Sequence, residues 1–395
     1  MAKYFIIIIY IAFISLGLPD SLLGSAWPTM RLDLNASLEA AGVISMIITI
    51  GTIVSSLSSE KLIKRFGTGK VTFISVLATA IALLGFSLSN SFFWLILFAI
   101  PLGLGAGSVD AGLNNYVALH YKAHHMSWLH CFWGVGATLG PIILSRGLLI
   151  NNDWRSGYFI ISIIQFILVI ILFFSIPLWN RISANTNSDN AEDDNPNDEK
   201  GSINVFSIKG LKFSLMAFLF YCGVETTTGL WGSSFLVNIK NLSHADAARW
   251  ISIYYAGITI GRLIVGFITM KITSRALIRA GQAIAIIGTV LLLLPLPIGF
   301  SLAGFIFIGL GCAPIFPSML HETPYRFGKA NSQKIMGLQM AFAYVGSAFL
   351  PPVLGFIAGK TSIMILPYFL LAFTLIMFVS TELINLVVAK SKHTK

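Results

Sequence analysis

Twelve apolar runs, each long enough to cross a bilayer, constrain this chain more than any other feature. A hydrocarbon core of about 30 Å requires about 20 apolar residues per helix. The runs lie at 4–28, 38–59, 70–89, 92–119, 127–149, 156–178, 211–237, 247–270, 275–295, 298–320, 332–358 and 362–388. Charged residues make up only 11% of the chain, less than half of the roughly 25% usual in soluble domains. The sequence therefore predicts an all-α membrane protein with twelve transmembrane helices.

The positive charges predict how these helices are oriented. With the N-terminus in the cytoplasm, 19 of the 26 Lys and Arg residues fall on the cytoplasmic side, six fall outside and Arg262 lies within a span. Basic residues accumulate on the cytoplasmic side of membrane proteins.

No small-residue cleavage site follows the first apolar run, so we interpret it as a helix and not as a signal peptide. We expect a multi-pass protein of the plasma (inner) membrane with both termini in the cytoplasm.

One long polar stretch, "NRISANTNSDNAEDDNPNDEKGS", divides the spans into six and six. Its low hydrophobicity is typical of a disordered linker. The predicted domains are an N-terminal bundle (1–179), a cytoplasmic linker (180–210) and a C-terminal bundle (211–395).

Short motifs repeat between these halves at offsets of 206 to 210 residues. They are "ITIG" at 48–51 and 258–261, "GLG" at 103–105 and 309–311, and "VGATLGP" at 135–141 beside "VGSAFLP" at 345–351. A duplicated unit explains all three, so we expect two pseudo-symmetric six-helix bundles. This is the architecture of the major facilitator superfamily, in which substrate binds near the midplane between the halves.

The segment "SSLSSEKLIKRFGTGK" after the second span resembles the signature of that superfamily: a small residue, an acid, basic residues, then Gly and a base. It carries Glu60 where Asp is usual. The resemblance implies that Glu60, Lys61 and Arg65 take part in gating. Arg262, near the inner end of the eighth span, is a further gating candidate, with a ligand role as the alternative.

Few ionisable side chains lie within the predicted spans, and each is a functional candidate because a charge inside a bilayer is costly. They are Asp20, Asp110, Glu225, Arg262 and His130. Asp110 shares one helix face with Gly103, Gly107 and Asn114, and Asn115 follows. Close helix packing is the alternative explanation of this stripe.

Asp20 lies between Gly17, Pro19 and Gly24, and this context predicts a bent or locally unwound helix. Such a break frees backbone carbonyls and forms a polar wall. The alternative is that the carboxylate only caps the break or bonds to a neighbouring helix.

The seventh span reads "YCGVETTTGLWGSS" and combines Glu225 with Thr228 and Trp231. Carboxylate and hydroxyl groups bind the hydroxyls of a sugar, and an indole covers the apolar face of its ring. Trp133 is a second candidate of this kind. Packing or contact with lipid is the alternative for both indoles.

Several motifs resemble the fucose permease and glucose/galactose permease branch of the superfamily. They are "GLGAGSVDAGLNNYV", "LHCFWGVGATLGP", "YCGVETTTGLW", "GITIGRLIVG" and "APIFP". The resemblance implies proton-coupled uptake of a monosaccharide, with Asp110 as the coupling acid and Asp20 and Glu225 as further proton sites. Together with the sugar-binding chemistry above, it predicts the following substrate contacts: Asp20, Asn114, Asn115, His130, Trp133, Glu225, Thr228, Trp231 and Tyr344. The sequence departs from the fucose permease at Trp133, where that protein has Asn.

We therefore expect a monomeric secondary transporter that moves a monosaccharide or related polar solute with a proton by alternating access. The alternatives are an exporter of drugs or amphiphiles, a lipid flippase, and a membrane receptor that transports nothing. We expect no enzymatic activity, cofactor, metal site or nucleic-acid partner. The phosphate-loop pattern fails at "FGTGKVT", because Lys64 stands where Gly is needed and Val71 where Ser or Thr is needed.

Overall fold

The computed structural model describes residues 2–120, 123–189, 208–268 and 271–393. The helices of the N-terminal half are α1 (Ala2–Asp20), α2 (Leu22–Asp33), α3 (Ala40–Phe66), α4 (Thr68–Leu88), α5 (Phe92–His120), α6 (Ala123–Asn151) and α7 (Trp154–Asp189). Those of the C-terminal half are α8 (Leu211–Asn238), α9 (His244–Ile268), α10 (Ser274–Leu293), α11 (Ile298–Phe327), α12 (Lys329–Lys360) and α13 (Leu366–His393). A short 3₁₀ turn, Ile363–Ile365, precedes α13.

The described residues contain twelve spans that are long and apolar enough to cross a membrane, which confirms the prediction. The first span, Ile6–Asp33, consists of α1 and α2. Its helix is interrupted beside Asp20, as expected from the surrounding Gly and Pro residues. Pro19 has no N–H to give to the carbonyl of Ser15, four residues earlier. The side chain of Gln165 in α7 donates to that carbonyl instead, at 2.5 Å.

Left-handed residues at the helix ends distinguish the two ends of the molecule. At one end the positive φ angles belong to asparagines, which tolerate this conformation better than most residues. They are Asn35, Asn152 and Asn241. At the other end they belong to glycines, namely Gly67, Gly210 and Gly328. We call these the Asn end and the Gly end.

Several helices run further than the hydropathy predicted, and α3 and α7 are two of them. The second span was expected to end at residue 59, but α3 continues to Phe66, so the segment with Glu60 and Arg65 is helical and not a loop. Basic residues in the last turn favour the helix dipole, and Gly67, with a φ of 82°, ends the helix. Helix α7 extends to Asp189, inside the predicted linker. The rest of that linker, 190–207, lies outside the described residues.

The two halves repeat one packing scheme. Helix α3 packs against α5 as α9 packs against α11, and α1 packs against α6 as α8 packs against α12. The repeated motifs place glycines at these crossings, where a Cβ would overlap a carbonyl oxygen of the neighbouring helix. The equivalent pairs are Gly103 with Ile48, Gly309 with Tyr254, Gly136 with Ile14, and Gly346 with Leu219. The two bundles therefore share the same close contacts at equivalent positions of the repeated motifs.

The bundles meet through α2 with α8, α3 with α12, and α6 with α9. Hydrogen bonds join them at the Asn end: the hydroxyl of Thr29 lies 2.8 Å from Nδ1 of His244, and Arg31 donates to Asn238 at 3.2 Å. Deeper in the seam, Ser252 donates to the carbonyl of Thr138 at 2.8 Å. In contrast, α1, which forms the Gly-end half of the first span, packs against α6 and α7 of its own bundle. The seam between the bundles is thus closed at the Asn end.

Candidate functional site

Asp20 lies at the helix break of the first span and faces the space between the bundles. It is the last residue of α1, and its Oδ2 accepts the indole N–H of Trp133 in α6 at 2.7 Å. The side chain is solvent-accessible, although it interacts electrostatically with Asp110 and Glu225 from two other helices. An accessible carboxylate among several helices lines an internal space and does not contact lipid.

Trp133 lies on the part of α6 that packs against α1 of its own bundle and against α9 of the other bundle. A Cβ on Gly17 in α1 would overlap the carbonyl of Trp133, and a Cβ on Gly134 would overlap the hydroxyl of Thr259 in α9. The indole ring lies under the guanidinium of Arg262, with Cζ 5.3 Å from the ring centroid. The ring of Tyr255 stands edge-on to it at 6.4 Å. Trp133 therefore belongs to the N-terminal bundle but contacts a cation of the C-terminal bundle.

Glu225 and Arg262 form an ion pair inside the C-terminal bundle. Nη2 of Arg262 lies 3.3 Å from Oε1 of Glu225, and the two side chains are only 15% and 14% exposed. Tyr221, one helical turn before Glu225, donates its hydroxyl to the same carboxylate. Tyr254 donates to the backbone carbonyl of Glu225 at 3.0 Å. The carboxylate is thus fixed by one cation and one hydroxyl donor.

Asp110 forms a second contact across the seam. Asn114, one turn later in α5, donates from Nδ2 to Oδ1 of Asp110 at 2.8 Å. The hydroxyl of Tyr344 in α12 donates to Oδ2 at 3.5 Å. The stripe of small and polar residues in α5 therefore both packs and presents polar groups: Gly107 lies against α3, and Asp110, held by Asn114, contacts Tyr344 of the other bundle.

The three acids differ in their partners. Among the described side chains, Glu225 is ion-paired with Arg262, whereas Asp20 and Asp110 accept hydrogen bonds from neutral donors and have no cation within ion-pair distance. A carboxylate without a counter-charge in a low-dielectric region is stabilised by taking up a proton. Asp20 and Asp110 can therefore exchange protons with water that enters the seam.

His130 lies beside this cluster. Its ring stands edge-on to Phe13 of α1 at 5.9 Å, and it experiences the positive charge of Arg262. Of the predicted substrate contacts, the structure thus brings together Asp20, Asn114, His130, Trp133, Glu225 and Tyr344. The side chain of Asn115 lies outside the described part of the chain.

Thr228 and Trp231 are not part of the cluster. Thr228 is fully buried and donates to the carbonyl of Val224 in its own helix at 2.7 Å. Trp231 is also fully buried, and its indole donates to the carbonyl of Pro351 in α12 at 2.8 Å. Both side chains therefore contact the packed interior of the C-terminal bundle and not the carboxylate of Glu225.

The predicted gating residues are separated from one another. Glu60 pairs with Lys64 at 2.6 Å on the exposed end of α3, and Lys61 and Arg65 are exposed near it. Arg262 is not with them but in the central cluster, where Glu225 holds it. Helix α9 starts at the Asn end and crosses most of the membrane before residue 262. Arg262 therefore lies within the membrane-spanning part of the chain, where its side chain contacts Glu225.

Sequence reasoning missed three tyrosines, Tyr221, Tyr254 and Tyr255. Two of them could have been found from helical spacing, because residues four or seven apart share a helix face. Tyr221 precedes Glu225 by four residues, and Tyr255 precedes Arg262 by seven.

Comparison with known proteins identifies one matching family and several similar transporters. The family model of the Major Facilitator Superfamily matches residues 9–320 and 213–394. The glucose/mannose transporter GlcP of Bacillus subtilis (strain 168) is 25% identical over 366 residues, which cover 90% of this chain and 88% of that protein. Among solved structures, a D-xylose–proton symporter superimposes with a TM-score of 0.73 at 14% identity, covering 94% of this chain and 96% of its own. A point mutant of the nucleoside transporter NupG gives 0.73 at 14% identity, with 95% and 98% covered.

Proposed function

The chain belongs to the Major Facilitator Superfamily and is a transporter, and on this premise we propose that it moves a neutral, sugar-like solute together with a proton by alternating access. One observation carries the proposal. Two carboxylates with no counter-charge among the described side chains, Asp20 and Asp110, lie at the seam of the bundles beside the indole of Trp133, the amide of Asn114 and the phenol of Tyr344.

The charges of the cluster favour a neutral solute. The described side chains of the central cluster provide three acids against one guanidinium, and that guanidinium is already paired with Glu225. An anionic solute would meet uncompensated negative charge. Carboxylate, amide and phenol groups offer the directional donors and acceptors that a polyhydroxy compound needs, and the glucose/mannose relative supports the same class.

Alternating access couples the movement of the proton to that of the solute. A carboxyl group that is dry in one state and wet in the other takes up a proton and later releases it on the opposite side. Each proton that enters down the membrane potential provides about 2.3 kcal/mol per 100 mV. This is enough to drive accumulation of a neutral solute.

The orientation follows the basic residues. With most Lys and Arg residues in the cytoplasm, both termini and the Gly end lie inside, and the Asn end lies outside. The hydrogen bonds of Thr29 and Arg31 then close the outer side. In this arrangement the protein functions as a monomer in the plasma (inner) membrane.

Transport into proteoliposomes with an imposed pH gradient tests the proposal. Purified protein with an acidic outer solution should accumulate at least one labelled monosaccharide of a panel above equilibrium, and a protonophore should abolish the accumulation. A parallel panel of amphiphilic dyes tests the exporter and flippase alternatives. If no monosaccharide shows gradient-dependent flux, the proposed function is wrong. Flux of dyes alone would favour the exporter.

A further inference from the structure

Trp133 contacts charged groups of both bundles at once. Its indole N–H donates to the carboxylate of Asp20, in its own bundle, at 2.7 Å. The face of its ring lies 5.3 Å from the guanidinium carbon of Arg262, in the other bundle. Arg262 in turn holds Glu225. The order Asp20, Trp133, Arg262, Glu225 is therefore a continuous chain of polar contacts that crosses the seam.

The backbone at Trp133 is tightly packed in this structure, so we expect the side chain to respond first to a change in these contacts. Helix α6 touches α1 through Gly17 and α9 through Gly134, and both contacts are too close to admit a Cβ. The orientation of the ring is then set by three neighbours: the carboxylate at its N–H, the guanidinium over its face and the edge of Tyr255. Only the first of these changes strength when a proton binds to Asp20.

We propose that Trp133 is a positioning residue that couples protonation of Asp20 to the contact between Arg262 and the opposite bundle. The inference rests on the proposed function. Ionised Asp20 accepts a charge-assisted hydrogen bond, which is roughly twice as strong as a neutral one, and it holds the ring flat under Arg262. When water delivers a proton to Asp20, the bond weakens and the ring turns away. Arg262 then keeps Glu225 but loses its contact with the N-terminal bundle.

The charge balance of the cluster agrees with this role. With Asp20, Glu225 and Arg262 ionised, the chain of contacts carries one uncompensated negative charge, and a single proton on Asp20 removes it. The other described titratable groups that face the cluster are Asp110 in α5, His130 and Cys131 in α6, Tyr221 and Cys222 in α8, Tyr254 and Tyr255 in α9, Cys312 in α11 and Tyr344 in α12. Protonation of Asp20 thus changes the interaction between bundles without breaking the Glu225–Arg262 pair.

The substitution Trp133→Phe separates the two functions of the side chain, because Phe keeps an aromatic face for Arg262 and loses the N–H. We expect the ratio of proton-driven accumulation to sugar exchange in this variant to fall about tenfold, the effect of one hydrogen bond to a charged group. The matched control is Trp179→Phe. Trp179 is buried in the same bundle and donates its N–H to Ser175 at 3.2 Å, within its own helix, so accumulation should be unchanged. Wild-type accumulation by Trp133→Phe would overturn the inference, as would equal loss of exchange and accumulation, which would make Trp133 a substrate contact.

Fluorescence tests the same inference without transport. The emission of Trp133, obtained by subtracting the spectrum of Trp133→Phe from that of the wild type, should follow a single titration with pH. The variant Asp20→Asn should abolish that titration, and Asp246→Asn at the exposed Asn end should leave it intact. A pH-independent difference spectrum would refute the coupling even if transport is observed. Conversely, a protein that shows the titration but transports no sugar would refute the proposed function alone.

Discussion

The hydroxyl of Thr29 lies 2.8 Å from Nδ1 of His244 and joins the first span of one bundle to the second span of the other. The same imidazole nitrogen lies 3.3 Å from Oδ1 of Asn152, at the end of α6. One side chain therefore links three helix ends at the closed end of the seam. We expect these bonds to determine how often the Asn end opens.

The variant Thr29→Val should open the Asn end more often, because it removes the bridging hydroxyl at nearly constant volume. One such bond contributes about 1 kcal/mol, which corresponds to a change of roughly fivefold in the open population. Distance distributions between spin labels at the exposed positions Leu32 and Asn241 measure this change. Thr361→Val is the control, since Thr361 is at the same end but donates only to Ile357 of its own helix. Equal distributions for the two variants would contradict the prediction.

The variant Asp110→Asn should abolish proton-driven accumulation and retain sugar exchange. The amide keeps the shape and the bond to Tyr344 but cannot bind and release a proton. Counterflow and uphill uptake in the same proteoliposomes separate the two activities. Asp246→Asn serves as the control, because Asp246 is an exposed acid at the Asn end that bonds to Ser243. Unchanged uphill uptake by Asp110→Asn would remove Asp110 from the coupling mechanism.

The variant Glu225→Gln should destabilise the protein by about 3 kcal/mol, because it leaves the largely buried guanidinium of Arg262 without its counter-charge. Adding Arg262→Met should restore much of the loss, since the pair is then replaced as a unit. Thermal unfolding in detergent measures both effects. Glu60→Gln removes an acid from an exposed pair with Lys64, and exposed pairs contribute little, so its melting temperature should equal that of the wild type. A loss in Glu225→Gln no larger than in Glu60→Gln would show that the central pair is not structurally important.

We expect two glycine substitutions to change the stability of the protein in opposite directions. A Cβ at Gly136 would overlap the carbonyl of Ile14, so Gly136→Ala should force α1 and α6 apart and cost about 1–3 kcal/mol. Gly337 is exposed inside α12 with no atom near its would-be Cβ, so Gly337→Ala should gain up to about 1 kcal/mol from helix propensity. Thermal unfolding of the two variants side by side checks the signs. Destabilisation by Gly337→Ala would show that its helix face is covered in the membrane.

The sequence predicted the fold because the relevant signals are local. Span length follows from hydropathy over about 20 residues, and the repeat follows from motifs such as the two "ITIG" segments. The same local signals identified Asp20, Asp110, Glu225 and Arg262, since a charge inside an apolar run is visible without any partner. Helix ends were less predictable. The continuation of α3 to Phe66 depends on charge pairs and a glycine cap that hydropathy does not register.

The tertiary structure decided which partner each charged or aromatic group has. Trp133 and Trp231 are both tryptophans of apolar helices, and the sequence treated them alike, but one donates to Asp20 at the seam and the other to Pro351 in the packed interior. In the same way, the crossing of α8 and α9 pairs Glu225 with Arg262, whereas Asp20 and Asp110 have no cation partner in the described part of the chain. These partners are tens to hundreds of residues apart in the chain. The energies that distinguish them depend on distances of about 3 to 5 Å between helices, which no local pattern of residues encodes.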